Sequence, residues 1–349
     1  MRETDLRAIG LEPPVPDDRV RLGLVPRVRA WLWIHRVSVV VVAALLAVVA
    51  LVQAWGMTRF PAPIDDEGTY MAQAWAVQVH HRLAHYTYWY DHPPLGWMVL
   101  ALWGWVRRPL RYAGASIDSG RQAMLAVGLV SSGLLYVLGR RLGLRRWAAA
   151  AAVLLFAVSP LAVPYHRMVL LDNLAVPWLL AAFGLALSPQ RRLWAAAGSG
   201  LCFAAAVLSK ETVLVLLPIL ALQLWAHGDR HTRRFALTAF LAAFVLVGGI
   251  YPLYAALKGE LLPGAGHVSL LGAVHFQLAG RAGTGSPLRP GTIGHATVAG
   301  WLRQDRWLVP VAVALVPAAL LVRRLRWIGA ALALDTLLVL RPGYLPDPF

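Results

Sequence analysis

The chain carries nine apolar runs long enough, or nearly long enough, to cross a bilayer. They fall at 38–56, 121–139, 147–164, 172–188, 193–208, 212–226, 235–256, 307–322 and 327–340. In hydrocarbon a spanning segment has to satisfy its own backbone polar groups, which for runs of this length means helix. Several runs are nearer 15 than 20 residues. Short spans are tolerated where flanking arginines snorkel to the interface. The fold class expected is all-α: a polytopic membrane protein of about nine transmembrane helices,.

The remaining composition narrows the partners. Hydrophobic residues make up 58% of the 349 and charged residues only 14%. Net charge is +16, but the basic residues sit in short clusters between apolar runs. That is topological signalling, not a nucleic-acid surface, so no nucleic-acid partner is expected. The single cysteine, Cys202, lies in an apolar run and excludes an intrachain disulfide or a cysteine-based zinc site,.

Charge also sets the orientation. The segment from Pro94 to Val106 is apolar but short, and suits a re-entrant or interfacial helix,. If it does not cross, five basic groups share one face. These are the tail, Arg140 to Arg146, Arg191 with Arg192, Arg230 to Arg234, and Arg323 to Arg326. The positive-inside rule makes that face cytoplasmic. The expected organisation is a cytoplasmic basic tail (1–37), a membrane domain (38–340) and an outer C-terminal tail (341–349). Residues 57–120 and 257–306 then form two outer loops, the first carrying interfacial helices. The expected location is the plasma membrane, with the N-terminus inside.

In so greasy a chain the polar residues stand out. Asp65-Asp66-Glu67 opens a helix-like segment just past the first run. An acid there caps a helix, serves as a general base or holds a divalent cation. Asp91-His92 ends an aromatic stretch that reads either as an interfacial belt or as a platform for a sugar ring,. Arg121 begins the second run and reads as a snorkelling or a functional residue. Arg167 and Asp172 either pair with each other or serve a site, since ionisable groups at membrane depth cost about 2.5–3.5 kcal/mol each on insertion scales. Lys210 either pairs with Glu211 or contacts a phosphate,. His80, His81 and His85 read as surface histidines sooner than as a metal set.

Taken in order, the motifs resemble a known set. An acidic pair follows the first run, then His92-Pro93-Pro94-Leu95-Gly96, an Arg at the second run, Arg167-Met168-Val169-Leu170-Leu171-Asp172, and Ser209-Lys210. Over roughly residues 38–225 this resembles the C-type glycosyltransferase superfamily, and within it family 39, the polyprenyl-phosphate-mannose–protein mannosyltransferases and their bacterial relatives. The resemblance implies an inverting transferase that moves a sugar, mannose by analogy, from a polyprenyl phosphate to a hydroxyl. It implies Asp66 as catalytic base with Glu67 beside it. It also implies substrate-binding roles for Asp65, His92, Arg121, Arg167, Asp172 and Lys210, with Asp65 doubling as a plain helix cap. No cofactor is required beyond a divalent cation at most. Trp97 stands where the mannosyltransferases usually have Lys, and Gly68-Thr69-Tyr70 departs from the eukaryotic pattern. The acceptor therefore stays open between protein, lipid and cell-wall glycan. The members usually have more spans, so a truncated or inactive relative and a transporter are the competing readings.

Overall fold

A computed structural model describes residues 36–83, 90–107, 113–280 and 283–341. Most of the expected basic tail, His85, the aromatic stretch 86–89 and the terminal segment 342–349 lie outside these residues. The chain divides into two units, 1–43 and 44–349. The first enters the description only through residues 36–43, all helical. Among the described residues there is no strand, only one isolated bridge between Gly264 and His267. The all-α membrane architecture stands.

α1 (Arg36–Ala54) fills the first apolar run. Two shorter helices follow, α2 (Asp65–His80) and α3 (Leu95–Arg107), and they pack on each other. α3 has 13 residues, too short to cross on its own,. α4 (Ala113–Arg141) begins eight positions before the apolar run expected at 121. Arg121 therefore lies two turns inside a helix, although it begins the apolar run.

Next come α5 (Arg146–Val158), α6 (Ala162–Arg167), α7 (Leu171–Ala186) and α8 (Leu193–Ser209). α5 stops just before Pro160, whose missing N–H and ring geometry oppose helix continuation,. A 3-10 turn, Glu211–Leu216, leads into α9 (Leu217–His227). α10 (Arg233–Gly248), α11 (Ile250–Leu257), α12 (Leu270–His275), α13 (Ile293–Gln304), α14 (Leu308–Leu321) and α15 (Arg326–Leu340) complete the order.

By length and apolarity three segments can cross a membrane alone: Arg36–Ala54, Ile117–Arg141 and Arg233–Leu257. α13 and α14 add a fourth if taken as one span, but they meet at 98°. The other expected spans are helical but fall below this length. Burial separates centre from rim. The best window of Ile117–Arg141 is 39% buried, against 11% for each of the other two. α4 is thus a central helix, while α1 and α10 turn Leu51, Val245 and Leu246 outward, where only lipid chains would receive them,.

Two cores hold the second unit. Tyr70 and Met71 of α2, Trp97 and Leu100 of α3, Met124 of α4 and Leu171 of α7 form the first, next to the acidic motif. Phe183, Phe203, Leu220 and Phe240, from α7 to α10, form the second. In that second core α8 and α10 approach so closely that a Cβ on Gly200 would overlap the Phe240 carbonyl oxygen. Gly128, in α4, has open space around it. Replacing a helical glycine by alanine gains roughly 1 kcal/mol in propensity, whereas forcing a methyl into a packed core costs roughly 1–3 kcal/mol. Thermal unfolding in detergent should therefore show Gly128→Ala neutral or stabilised and Gly200→Ala clearly destabilised.

Candidate active site

The three acids of the triplet have three different environments, because successive helical residues point about 100° apart. Asp65 is exposed, Asp66 half-buried and Glu67 fully buried. Ile64 is the N-cap of α2 and Asp65 the first helical residue, so the reading of Asp65 as the cap is corrected. The capping contact comes from Glu67, whose Oε2 accepts from the Ile64 N–H at 3.3 Å,.

Glu67 is also clamped from the other side. Arg121 donates Nε to Glu67 Oε1 at 2.9 Å and Nη2 to Oε2 at 2.7 Å, and both side chains are 0% exposed. The Val169 N–H adds a third bond, to Oε1, at 3.0 Å. Arg121 Nη1 reaches the carbonyls of Met57 and Pro61 at 2.8 and 2.9 Å. Four of the five guanidinium N–H groups are thereby committed. Neither Glu67 nor Arg121 offers a free polar edge to a substrate.

Arg167 does a parallel job on the same loop. Its Nη2 donates to the carbonyls of Val52 and Trp55 at 2.7 and 2.8 Å, and its Nε to that of Gln53 at 3.1 Å. Its Nη1 reaches the Phe60 carbonyl at 3.3 Å. The last carbonyls of a helix lack intrahelical donors and carry the negative end of its dipole. Arg167 caps α1 there. It does not pair with Asp172, as the sequence suggested it could.

Asp172 instead lies 3.7 Å from Lys210 Nζ. Glu211, the alternative partner of Lys210, bonds His92 Nδ1 at 3.1 Å. Neither pair drawn from sequence neighbours forms: Lys210 takes Asp172, Glu211 takes His92, and Arg167 takes backbone carbonyls. With Nδ1–H given to Glu211, His92 Nε2 is left to accept from the Tyr70 hydroxyl at 3.3 Å,. Burial pushes Tyr70 well above the ordinary phenol range, and the charges of Asp66, Asp172, Asp91 and Glu211 push it further. Tyr70 stays protonated, as a donor. Burial alone would raise the Glu211 carboxyl, but the hydrogen bond from His92 and the charge of Lys210 hold it below its usual value.

α11 and the second loop close over this cluster. Tyr251 OH donates to the His92 carbonyl at 3.2 Å, Tyr90 OH to Glu260 at 2.5 Å, and Gln277 to Asp91. A cavity of about 360 Å³ lies between the loops, bordered by Asp91, His267, Ser269 and Phe276. It adjoins the cluster at Asp91 but does not reach Asp66. Among the described residues no three of His, Cys, Asp and Glu are placed to hold a metal ion.

Asp66, His92, Asp172 and Lys210 therefore belong to one cluster, and Glu67, Arg121 and Arg167 to the scaffold beneath it. Sequence reasoning missed Tyr70, Glu211 and Tyr251 as members. Tyr70 was within reach, being four residues from Asp66 on one helix face. Tyr251 comes from α11, inside an apolar run, and Glu260 from the loop after it, which has no signal of its own.

A family described as dolichyl-phosphate-mannose-protein mannosyltransferase matches residues 91–251. Solved structures share the fold. ArnT from Cupriavidus metallidurans, bound to undecaprenyl phosphate, superposes with a TM-score of 0.59 at 15% identity, over 88% of this chain and 56% of that one. The S. cerevisiae protein O-mannosyltransferase Pmt1-Pmt2 complex, bound to the sugar donor, gives 0.52 at 19% identity, over 66% of this chain and 35% of that one. The chain is thus similar to that mannosyltransferase family over just under half of its length and shares its fold with membrane glycosyltransferases of known structure. The Archaeoglobus fulgidus oligosaccharyltransferase, tethered to an acceptor peptide, gives 0.53 at 12% identity, over 90% of this chain and 48% of that one. The chain spans between a third and three fifths of these proteins' lengths. No curated protein matches it in sequence. The match to the mannosyltransferase family begins at Asp91, so the acidic triplet lies outside it.

Losing one partner of a buried ion pair costs roughly 3–5 kcal/mol. Glu67→Gln and Arg121→Ala should each lower folded yield and thermal stability sharply. Asp65→Ala, at an exposed site, should change stability by no more than about 0.5 kcal/mol. Thermal unfolding of the three purified variants checks this ordering.

Proposed function

We propose that the chain is an inverting glycosyltransferase that moves a sugar from a polyprenyl-phosphate donor to an acceptor hydroxyl on the outer face of the plasma membrane. The observation that carries the reading is the separation of the triplet. Glu67 is locked into the scaffold, while Asp66 faces the cluster with no hydrogen-bond partner among the described residues. A carboxylate held in this way is placed to act as a general base.

In the proposed reaction the Asp66 carboxylate removes the proton of the acceptor hydroxyl. The hydroxyl oxygen attacks the anomeric carbon from the side opposite the phosphate. The carbon–oxygen bond to the phosphate breaks, and the lipid phosphate leaves with its electron pair. Negative charge gathers on that phosphate, and Lys210 is the cation nearest the cluster. Its ammonium is 15% exposed and makes no hydrogen bond among the described residues, its distance to Asp172 being beyond bonding range,. Arg167, first read as a substrate-binding residue, is given the scaffold role instead. His92 is held from both ring nitrogens and serves as a fixed wall of the cluster.

ArnT is bound to undecaprenyl phosphate and Pmt1-Pmt2 to a sugar donor, which supports a lipid-phosphate donor here. Mannose as the sugar rests on the matched family's description. The outer-face placement rests on arginine clusters at the opposite helix ends,.

General-base catalysis is worth about 10²–10⁴ in rate. Asp66→Asn should lose that much transfer from a labelled polyprenyl-phosphate sugar, while its unfolding curve stays that of the parent. Wild-type transfer by Asp66→Asn would remove the base assignment. Lys210→Gln should also impair transfer, and more steeply for donors with poorer leaving groups.

A further inference from the structure

A second cavity, of about 710 Å³, opens at the other ends of the same helices. Arg121 and Arg141 are both on α4, and the 20 residues between them span about 30 Å at helical rise,. Arg141, Arg191, Arg323, Arg324, Arg326 and His227 line this cavity, and no Asp or Glu does. Among the described residues none of the five arginines takes part in an ion pair.

Arginines at this end of a bundle are expected from topology alone. Convergence on one cavity is not. The side chains come from four separate places: the end of α4, the turn between α7 and α8, the end of α9, and the turn between α14 and α15. Like charges gathered round a concavity repel one another and focus a field that attracts anions. Two backbone features keep them there. Arg191 sits at φ 47, a left-handed conformation that long side chains rarely adopt and that persists where the surroundings impose it,. Gly143, at φ 84, leaves the space that Arg324 occupies: a Cβ there would lie 2.5 Å from Arg324 Nη1.

The wall holds one unanswered acceptor. Gln223 is 2% exposed and lines the cavity, and its Oε1 has no partner. The remaining lining is apolar, including Leu142, Leu187 and Trp327. A fitting ligand has an anionic phosphate for the guanidinium groups, a hydroxyl or N–H for Gln223, and an apolar portion. Those are the parts of an anionic phospholipid.

We propose that this cavity binds the phosphate of an anionic lipid headgroup, at the membrane face opposite the acidic cluster. It is a site separate from the transfer reaction and from the donor's own phosphate. Arginine forks give charge-assisted, often bidentate bonds to phosphate.

The test uses the purified full-length protein, with bound lipid counted by native mass spectrometry. The probes are phosphatidylglycerol, which has headgroup hydroxyls, phosphatidylcholine, which has no net charge and no headgroup donor, and inorganic phosphate. Phosphatidylglycerol should be retained in preference to phosphatidylcholine. The double variant Arg324→Gln, Arg326→Gln should weaken that retention by roughly tenfold or more, the scale of a lost charge-assisted contact. Lys210→Gln, at the other end of the helices, should leave it intact. Should the double variant not fold, Arg191→Gln carries the same expectation. Equal retention of the two lipids, or unchanged phosphatidylglycerol binding in the variants, overturns the proposal. Displacement of phosphatidylglycerol by dilute inorganic phosphate would keep a phosphate site but overturn its assignment to lipid.

Discussion

The buried ion pair between Glu67 and Arg121 is the contact on which the arrangement of the acidic cluster depends. Two charges with no exposure are costly to desolvate, and the pair is tolerable only because nearly every donor and acceptor is used,. Arg121 joins α4 to the α1–α2 loop through Met57 and Pro61, and Glu67 joins α2 to Val169. Four segments are registered by two side chains. Asp66, next to Glu67, inherits its position from that registration.

This divides the charged residues into a dry layer and a wet one. Glu67, Arg121 and Arg167 are buried and fix geometry. Asp66, His92, Asp172, Lys210 and Glu211 lie above them, with side-chain exposures of 11% at His92 and 59% at Asp172. A reaction that needs a base and a cation can use only the upper layer. Tyr70 connects the two, rooted in the first core and facing four carboxylates. Substitutions in the lower layer and in the upper should therefore fail differently, one through folding and the other through chemistry.

Much of this was legible in the sequence. Apolar runs separated by arginine clusters gave the all-α membrane class, and the motifs pointed to the residues that converge. What stayed hidden was pairing. Adjacent charges such as Lys210 and Glu211 invite a local pair, but residues on either side of a helix end point in different directions. Lys210 reaches Asp172, and Glu211 reaches His92, 119 positions away. Helix lengths were misjudged for a related reason. α4 begins in a segment that is not apolar, and it is held there by Arg121, whose charge argued against a helix interior. The contributions of Tyr251, on α11, and of Glu260 and Gln277 depend on how α11 and the second loop fold back, which no local pattern encodes.

The clamp formed by Arg121 and Arg167 reads main chain. Between them the two guanidinium groups grip carbonyl oxygens of residues 52, 53, 55, 57, 60 and 61, and the Phe60 ring, under Arg167, is the side chain of that stretch they touch among the described residues. Drift at an exposed position such as Trp55 is therefore cheap so long as the backbone path survives, whereas buried Gln53 also bonds the Ala157 carbonyl. Exchange of either arginine for lysine is not cheap, because an ammonium lacks the fork that spans several carbonyls. Among divergent homologues, the approach to the acidic motif should look unrelated letter by letter while two arginines far downstream keep it in place.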